Sequence, residues 1–210
     1  MKGADEDRRP IRARSNSWAQ KTASFLAAKN ISPNSISIAS VVFASLCAAL
    51  LVWYPTPIGL IGCAITIQGR LLCNLFDGMV AIEGGKESIL GPLYNEFPDR
   101  LSDSVVLVAL GYSTDLIALG WFSALATALT AYVRLFGGTL GLRQDFRGPM
   151  AKQHRMVVIT ISCLCGVAEL WITQTIYSLS IALLIVAIGS PVTCATRSWA
   201  IAKQLKQDSE

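Results

Sequence analysis

Long apolar runs separated by short polar breaks make up most of the chain. They lie near residues 34–54, 58–83, 89–112, 115–137, 153–172 and 176–202, and each approaches the about 20 apolar residues that a helix needs to cross a bilayer. The breaks are Tyr54-Pro55-Thr56-Pro57, Gly84-Gly85, Ser113-Thr114, the stretch from Gly137 to Gln153, and Thr173-Gln174-Thr175. Residues 11–29 follow a different pattern. There Trp18, Thr22, Phe25 and Leu26 recur at helical spacing, while Arg12, Arg14 and Lys21 can reach lipid headgroups, which predicts an interfacial helix ended before Pro33. The expected fold class is all-α: a polytopic membrane protein with six transmembrane helices and an N-terminal interfacial amphipathic helix. Residues 1–33 form the cytoplasmic N-terminus with that helix, 34–203 the membrane domain, and 204–210 a cytoplasmic tail.

Composition narrows the class. Of 210 residues, 52% are hydrophobic and 15% charged, against about 25% charged in an ordinary soluble domain. Mean hydropathy is +0.48. So much apolar surface excludes a disordered chain, and the lack of a glycine period or charged heptads excludes a collagen-like or coiled-coil rod. The first long apolar run ends without a small-residue cleavage pattern, so it is expected to be retained rather than removed as a signal peptide. All six cysteines fall inside apolar runs, and no CxxC pair occurs. They read as small packing residues rather than a zinc clip or a disulfide framework.

The net charge of +4 matters less than its placement. The first, third and fifth connections carry no Lys or Arg. The second holds Lys86, the fourth holds Arg143, Arg147 and Lys152 with Arg155 just beyond, and the C-terminal end holds Arg197, Lys203 and Lys206. Basic residues mark the cytoplasmic side, so both termini are expected there.

The second and third spans break the apolar rule with Arg70, Asp77, Glu96, Asp99, Arg100 and Asp103. Each charge costs about 2.5–3.5 kcal/mol at mid-membrane, so these side chains must face protein or water. Asn74 and Asp77 stand three apart on one helix face; Asn95, Asp99 and Asp103 stand four apart on another. Both sets lie within a few turns of the loop that joins the two spans. A helical hairpin brings them together as oxygen ligands suited to a hard divalent cation such as Mg²⁺. A plainer reading pairs the same acids with Arg70, Arg100 and Arg134 as structural ion pairs. Gly78, Ala81 and Gly91 beside the cluster either leave room for a ligand or pack helices closely.

The run Asn74-Leu-Phe-Asp77-Gly78-Met-Val-Ala81-Ile82, followed after eight residues by Gly91-x3-Asn95-x3-Asp99, resembles the signature of the CDP-alcohol phosphatidyltransferases, D-x2-D-G-x2-A-R-x8-G-x3-D-x3-D. Ile31-Ser-Pro33-Asn34-Ser-Ile36 is similar to the Thr-Pro-Asn segment that leads into the family's first span. The chain departs from the pattern at Asn74 and Asn95, where the family has Asp, and at Ile82, where it has Arg. Asp103 adds a carboxylate one turn beyond. This looks like a bacterial subgroup with Asn at those two positions.

The resemblance implies a phospholipid-biosynthesis enzyme of the bacterial inner membrane, surrounded by membrane lipids. It would transfer a phosphatidyl group from CDP-diacylglycerol to a small alcohol, free or phosphorylated, and release CMP. It further implies Mg²⁺ or Mn²⁺ as cofactor and a homodimer, with no nucleic acid partner. By the same resemblance Asn74, Asp77, Asn95 and Asp99 would hold metal, and Asp99 would act as general base with Asp103 sharing or taking that role. Asp77, Gly78, Ala81 and Gly91 would line the nucleotide pocket. Arg134, Arg143, Lys152 and Arg155 would bind the acceptor or its phosphate, although positive-inside topology also accounts for the basic loop. With only Asp77 and Asp99 charged among the four signature positions, the expectation is one firmly held ion and a second arriving with the diphosphate. His154 reads as a solvated surface residue, and no role is assigned to Glu169. The alternatives are a degenerate member that binds without turnover, transfer from a CDP-linked alcohol to diacylglycerol, and a small transporter. No inverted repeat or outward-facing acidic pattern supports the last.

Overall fold

The computed structural model describes residues 16–83, 85, 89–142 and 144–207. Seven helices follow in order: α1 (Ser17–Ala28), α2 (Pro33–Trp53), α3 (Pro57–Glu83), α4 (Gly91–Ser113), α5 (Ile117–Thr139), α6 (Lys152–Ile172) and α7 (Tyr177–Gln207). Their starts follow from local chemistry. The Asn16 side chain accepts from Trp18 N to cap α1, and the Ser32 hydroxyl accepts from Ser35 N to cap α2, whose first residue is Pro33. Serine and asparagine satisfy a free helical N–H here, and proline at the first position loses no bond. Asn30, Asp115 and Gln174 take positive φ of 56–57° in the turns after α1, α4 and α6, the left-handed step by which many helices end.

Helices α2 to α7 close into a ring. Around it, α3 packs on α2, α2 on α4, α4 on α5, α5 on α7, α7 on α6, and α6 back on α3. The interior is filled by Leu51, Leu60, Ile67, Leu107, Leu110, Met156, Ile159, Leu183 and Val186. Outward faces carry exposed Val42, Ile65, Leu125, Leu164 and Ile188, an arrangement suited to lipid rather than water. Five helices, α2, α3, α5, α6 and α7, are long and apolar enough to cross a membrane. The protein is an integral membrane protein. The remaining ring helix, α4, has 23 residues, but Glu96, Asp99, Arg100 and Asp103 lower its apolarity.

α1 lies outside the ring on α3. Ala19 and Ala23 are buried with Phe76, Met79 and Val80, and the Trp18 and Phe76 rings are 5.7 Å apart. Phe25 stays exposed. Residues 11–15 of the expected helix, Lys86 and Arg143 lie outside the described residues. Glu169, which the sequence left without a role, accepts from Ser178 N at 3.0 Å and so caps the start of α7.

α4 and α5 meet backbone to backbone. A Cβ on Gly120 would lie 2.8 Å from Gly111 Cα, and one on Gly111 would lie 2.8 Å from Gly120 Cα. Neither neighbour is a side chain that could turn away. Gly120→Val is therefore expected to separate the two helices and destabilise the protein by about 1–3 kcal/mol, the usual cost of overpacking. Gly138→Ala, where the nearest atom is Gln144 Cγ at 3.7 Å, should leave the thermal unfolding midpoint almost unchanged.

Candidate functional site

At the end of the ring where α3 finishes and α4 and α6 begin, three helices converge with charged side chains. Helical spacing puts Arg70, Asn74 and Asp77 along one face of α3 and Asp99 and Asp103 along one face of α4. The first turn of α6 adds Lys152 and Arg155. A helix N-terminus is its positive end and normally favours acidic residues. Two cations in this turn are tolerable because the acids of α4 face them.

The deepest contact is a buried triad. Asp103 Oδ1 accepts from Arg70 Nη2 at 2.6 Å, and Oδ2 accepts from Arg155 Nη2 at 2.7 Å. Arg70 is 0% and Arg155 1% exposed. Arg70 also reaches the Asp99 carbonyl at 3.4 Å and Met156 Sδ at 2.8 Å, and Arg155 donates to the Met150 carbonyl at 2.7 Å. One carboxylate thus ties α3, α4 and α6 together, and both its oxygens are engaged by guanidinium groups.

Nearer the mouth, Asp99 faces Asn74 and Lys152. With its amide oriented to satisfy both neighbours, Asn74 donates to Asp99 Oδ1 at 3.0 Å and accepts from Lys152 Nζ at 2.8 Å. Lys152 Nζ also pairs directly with Asp99 Oδ2. The guanidinium groups of Arg100 and Arg70 stand farther from Asp99, at 3.9 and 4.0 Å. Asp77 is held by protein donors: Ser37 Oγ of α2 donates to Oδ2 at 2.8 Å, and Gly78 N donates to Oδ1 at 2.6 Å.

The α5–α6 connection closes one side. Arg134 pairs with Glu96, donates to Gln144 Oε1 at 2.6 Å and lies 5.3 Å from the Phe146 ring centroid. Arg197 of α7 donates to the carbonyls of Thr130 and Arg147, both at 2.8 Å, and Met150 N donates to Thr193 Oγ1 at 2.9 Å. Asp145 takes three contacts at 3.0–3.2 Å from the Arg147 guanidinium and one from its backbone N–H at 2.9 Å. Partial burial opposes the charge on Asp145, yet these contacts outweigh it and hold the carboxyl below its usual range, while the same pairing raises Arg147.

The structure thus brings together Asn74, Asp77, Asp99, Asp103, Lys152 and Arg155. Gly78 and Ala81 are half-buried on α3 beside and beyond Asp77, and Gly91 is half-buried at the start of α4. Asn95 is exposed, one turn before Asp99. Arg155 is turned inward onto Asp103, and Arg134 is turned onto Glu96. Two participants were not singled out from sequence. Ser37 lies one turn beyond Pro33, so its place on the same α2 face was available as a signal. Arg197 was read only as a topology marker, although an arginine inside an apolar run carries its own signal.

The chemistry of the donors sets what they can hold. Among the described residues no group of three or more His, Cys, Asp and Glu side chains is placed to hold a metal ion. Asp77, Asp99 and the nearby amide oxygen are hard oxygen donors, too few to hold a divalent cation without further oxygens from a substrate.

No protein-family model matches the chain. Individual relatives do. Archaetidylinositol phosphate synthase of Aeropyrum pernix is 34% identical over 143 residues, covering 67% of this chain and 71% of that protein. Phosphatidylinositol phosphate synthase of Streptomyces avermitilis is 27% identical over 183 residues, covering 83% and 74%. Phosphatidylinositol phosphate synthase of Mycobacterium tuberculosis, in a crystal structure with CDP-DAG bound, shares the fold at a TM-score of 0.71 and 20% identity, over 87% of this chain and 92% of that one. That protein has also been crystallised with manganese and citrate. With the signature residues assembled on α3 and α4, the relationship defines an integral membrane transferase of phospholipid biosynthesis. The chain belongs to the CDP-alcohol phosphatidyltransferase family and is an enzyme of that class.

Removing one partner of a buried ion pair leaves an uncompensated charge and costs about 3–5 kcal/mol. Asp103→Asn would strand two buried guanidinium groups and should destabilise the purified protein by that amount in unfolding experiments, whereas Arg70→Met and Arg155→Met each leave one guanidinium on Asp103 and should cost less, about 1.5–3 kcal/mol. Arg147→Ala, whose own side chain is 68% exposed although its partner Asp145 is only 12% exposed, should cost less still, about 1 kcal/mol.

Proposed function

We propose that the enzyme transfers a phosphatidyl group from CDP-diacylglycerol to a phosphorylated small alcohol and releases CMP at the cytoplasmic face of a bacterial inner membrane. The observation that carries this reading is the Asn74–Asp99 hydrogen bond. It joins the two halves of the signature into one site with Asp77, while the Arg70 and Arg100 guanidinium groups stand at 4.0 and 3.9 Å from Asp99. The ring helices α2 to α7 serve as six spans, with both termini on the basic, cytoplasmic side. An amphiphilic donor suits this geometry, because its acyl chains can stay beside the outward apolar faces while its nucleotide reaches the charged mouth.

In this reading the alcohol oxygen attacks the phosphorus that carries the diacylglycerol. A new phosphorus–oxygen bond forms, the bond to the bridging oxygen breaks, and CMP leaves with that oxygen. Asp99 accepts the proton of the alcohol. Asp77, held by Ser37 and Gly78 N, would join Asp99 in holding one divalent ion, Mg²⁺ or Mn²⁺, which would supply positive charge to the diphosphate. Gly78, Ala81 and Gly91 flank the nucleotide. Asp103 is a positioning residue, since it lies deeper than Asp99 and is clamped between two buried guanidinium groups, Arg70 and Arg155. The N-terminus of α6, the positive end of its dipole, favours an acceptor that carries phosphate. Inositol phosphate is the first acceptor to try, because the relatives named above are synthases of inositol-phosphate lipids.

The test is CMP release from CDP-diacylglycerol by purified protein with Mn²⁺ or Mg²⁺ and a panel of inositol phosphate, glycerol 3-phosphate, free inositol and serine. Release should require metal and a phosphorylated alcohol, and Asp99→Asn should lower it by about 100-fold or more. CDP binding with no release for any acceptor would overturn the transfer reading in favour of a protein that binds without turnover.

A further inference from the structure

We propose that Lys152 is a built-in cation of the site, filling with its ammonium group the position between Asp99 and Asn74 and so limiting the centre to a single divalent ion. The proposal rests on reading this mouth as a cation and diphosphate site, and it revises the expectation of a second ion arriving with the nucleotide.

Geometry is the first support. Lys152 Nζ is shared between Asp99 Oδ2 and the Asn74 amide oxygen, while the Asn74 amide nitrogen donates to the other Asp99 oxygen. The three groups form a closed set of contacts from α3, α4 and α6. Asn74 and Asp99 are oxygen donors from the two halves of the signature, and an ammonium occupies the space where both could coordinate one ion.

The second support is how unfavourable the position is for lysine. Lys152 opens α6 at the positive end of the helix dipole, in the same turn as Arg155 and near the Arg70 guanidinium. A lysine at a helix end in a membrane protein ordinarily extends its flexible stem toward water. This side chain is only 16% exposed and turns inward onto Asp99.

Charge is the third. Asp103 sits between two guanidinium groups, Arg70 and Arg155, so that triad carries +1. Asp77 and Asp99 against Lys152 carry −1, and the six groups together are neutral. One divalent ion adds +2, which the two charges of a diphosphate diester offset; a second would leave +2 uncompensated. Asn74 fits the same logic. A neutral amide oxygen is a weak ligand for a second ion, yet it is a good acceptor for an ammonium N–H and also donates to Asp99. Asn74 and Lys152 therefore act as a matched pair, and an acid at position 74 without the lysine should restore a second cation position.

The test counts Mn²⁺ bound to the purified full chain by paramagnetic resonance titration, with and without CDP. The wild type should bind no more than one Mn²⁺ per chain in either condition and saturate at one with CDP present. The Asn74→Asp/Lys152→Met double variant should saturate at two, with its folding checked by helix content and thermal midpoint. Two ions on the wild type, none in either condition, or one on a folded double variant would overturn the proposal. If the double variant fails to fold, the wild-type count decides alone, with Lys152→Gln expected to gain affinity for a second ion. Failure here stays separate from failure of the transfer reading. One Mn²⁺ with no CMP release sinks only the transferase reaction, and two Mn²⁺ with full turnover sinks only the role of Lys152.

Discussion

The Asp103 carboxylate, clamped between Arg70 and Arg155, is the contact on which the arrangement of this protein depends. Charges buried in a helical membrane protein are expensive unless paired, and here three ring helices bring one member each to the same point. Because Asp103 and Asp99 are one turn apart on α4, fixing Asp103 fixes Asp99 toward Asn74. Because Arg155 and Lys152 are one turn apart on α6, the same clamp delivers Lys152 to Asp99. The geometry of the mouth is thus set from beneath, by groups that are engaged with one another.

This division answers a choice that the sequence left open. Six charged residues in two spans admitted two readings, structural ion pairs or ligands. The structure distributes the charges between them: Asp103 goes to the arginines of α3 and α6, Glu96 goes to Arg134, and Asp77 and Asp99 remain at the mouth. Spacing alone could place Asp99 and Asp103 on one face but could not separate their roles. That separation comes from Arg155, which is 52 residues away along the chain and meets Asp103 only because the ring closes α6 onto α3.

Much of the framework was legible because its signals are local. Apolar runs broken by Pro, Gly and Thr foretold the ring helices with ends close to those observed, and the three- and four-residue spacings foretold the acidic faces of α3 and α4. The helix before Pro33 was legible from Trp18, Phe25 and Leu26. Less legible were the features that require a partner from across the ring: Ser37 on Asp77, Lys152 on Asp99 and Asn74, Arg197 on two loop carbonyls, and the Gly111–Gly120 backbone contact. Basic residues in the α5–α6 connection follow from topology whatever else they do, so their sequence positions could not reveal that Arg155 turns inward while Arg147 stays outside.

The central claim is that two carboxylates one helical turn apart do different work, Asp99 in chemistry and Asp103 in architecture. The direct measurement is the partition of stability and turnover between Asp99→Asn and Asp103→Asn, with CMP release normalised to folded protein. The account predicts that Asp99→Asn remains folded and loses turnover. Asp103→Asn should lose stability, while the fraction that stays folded keeps most of its turnover. A stable but inactive Asp103→Asn protein, beside an active Asp99→Asn protein, would contradict it.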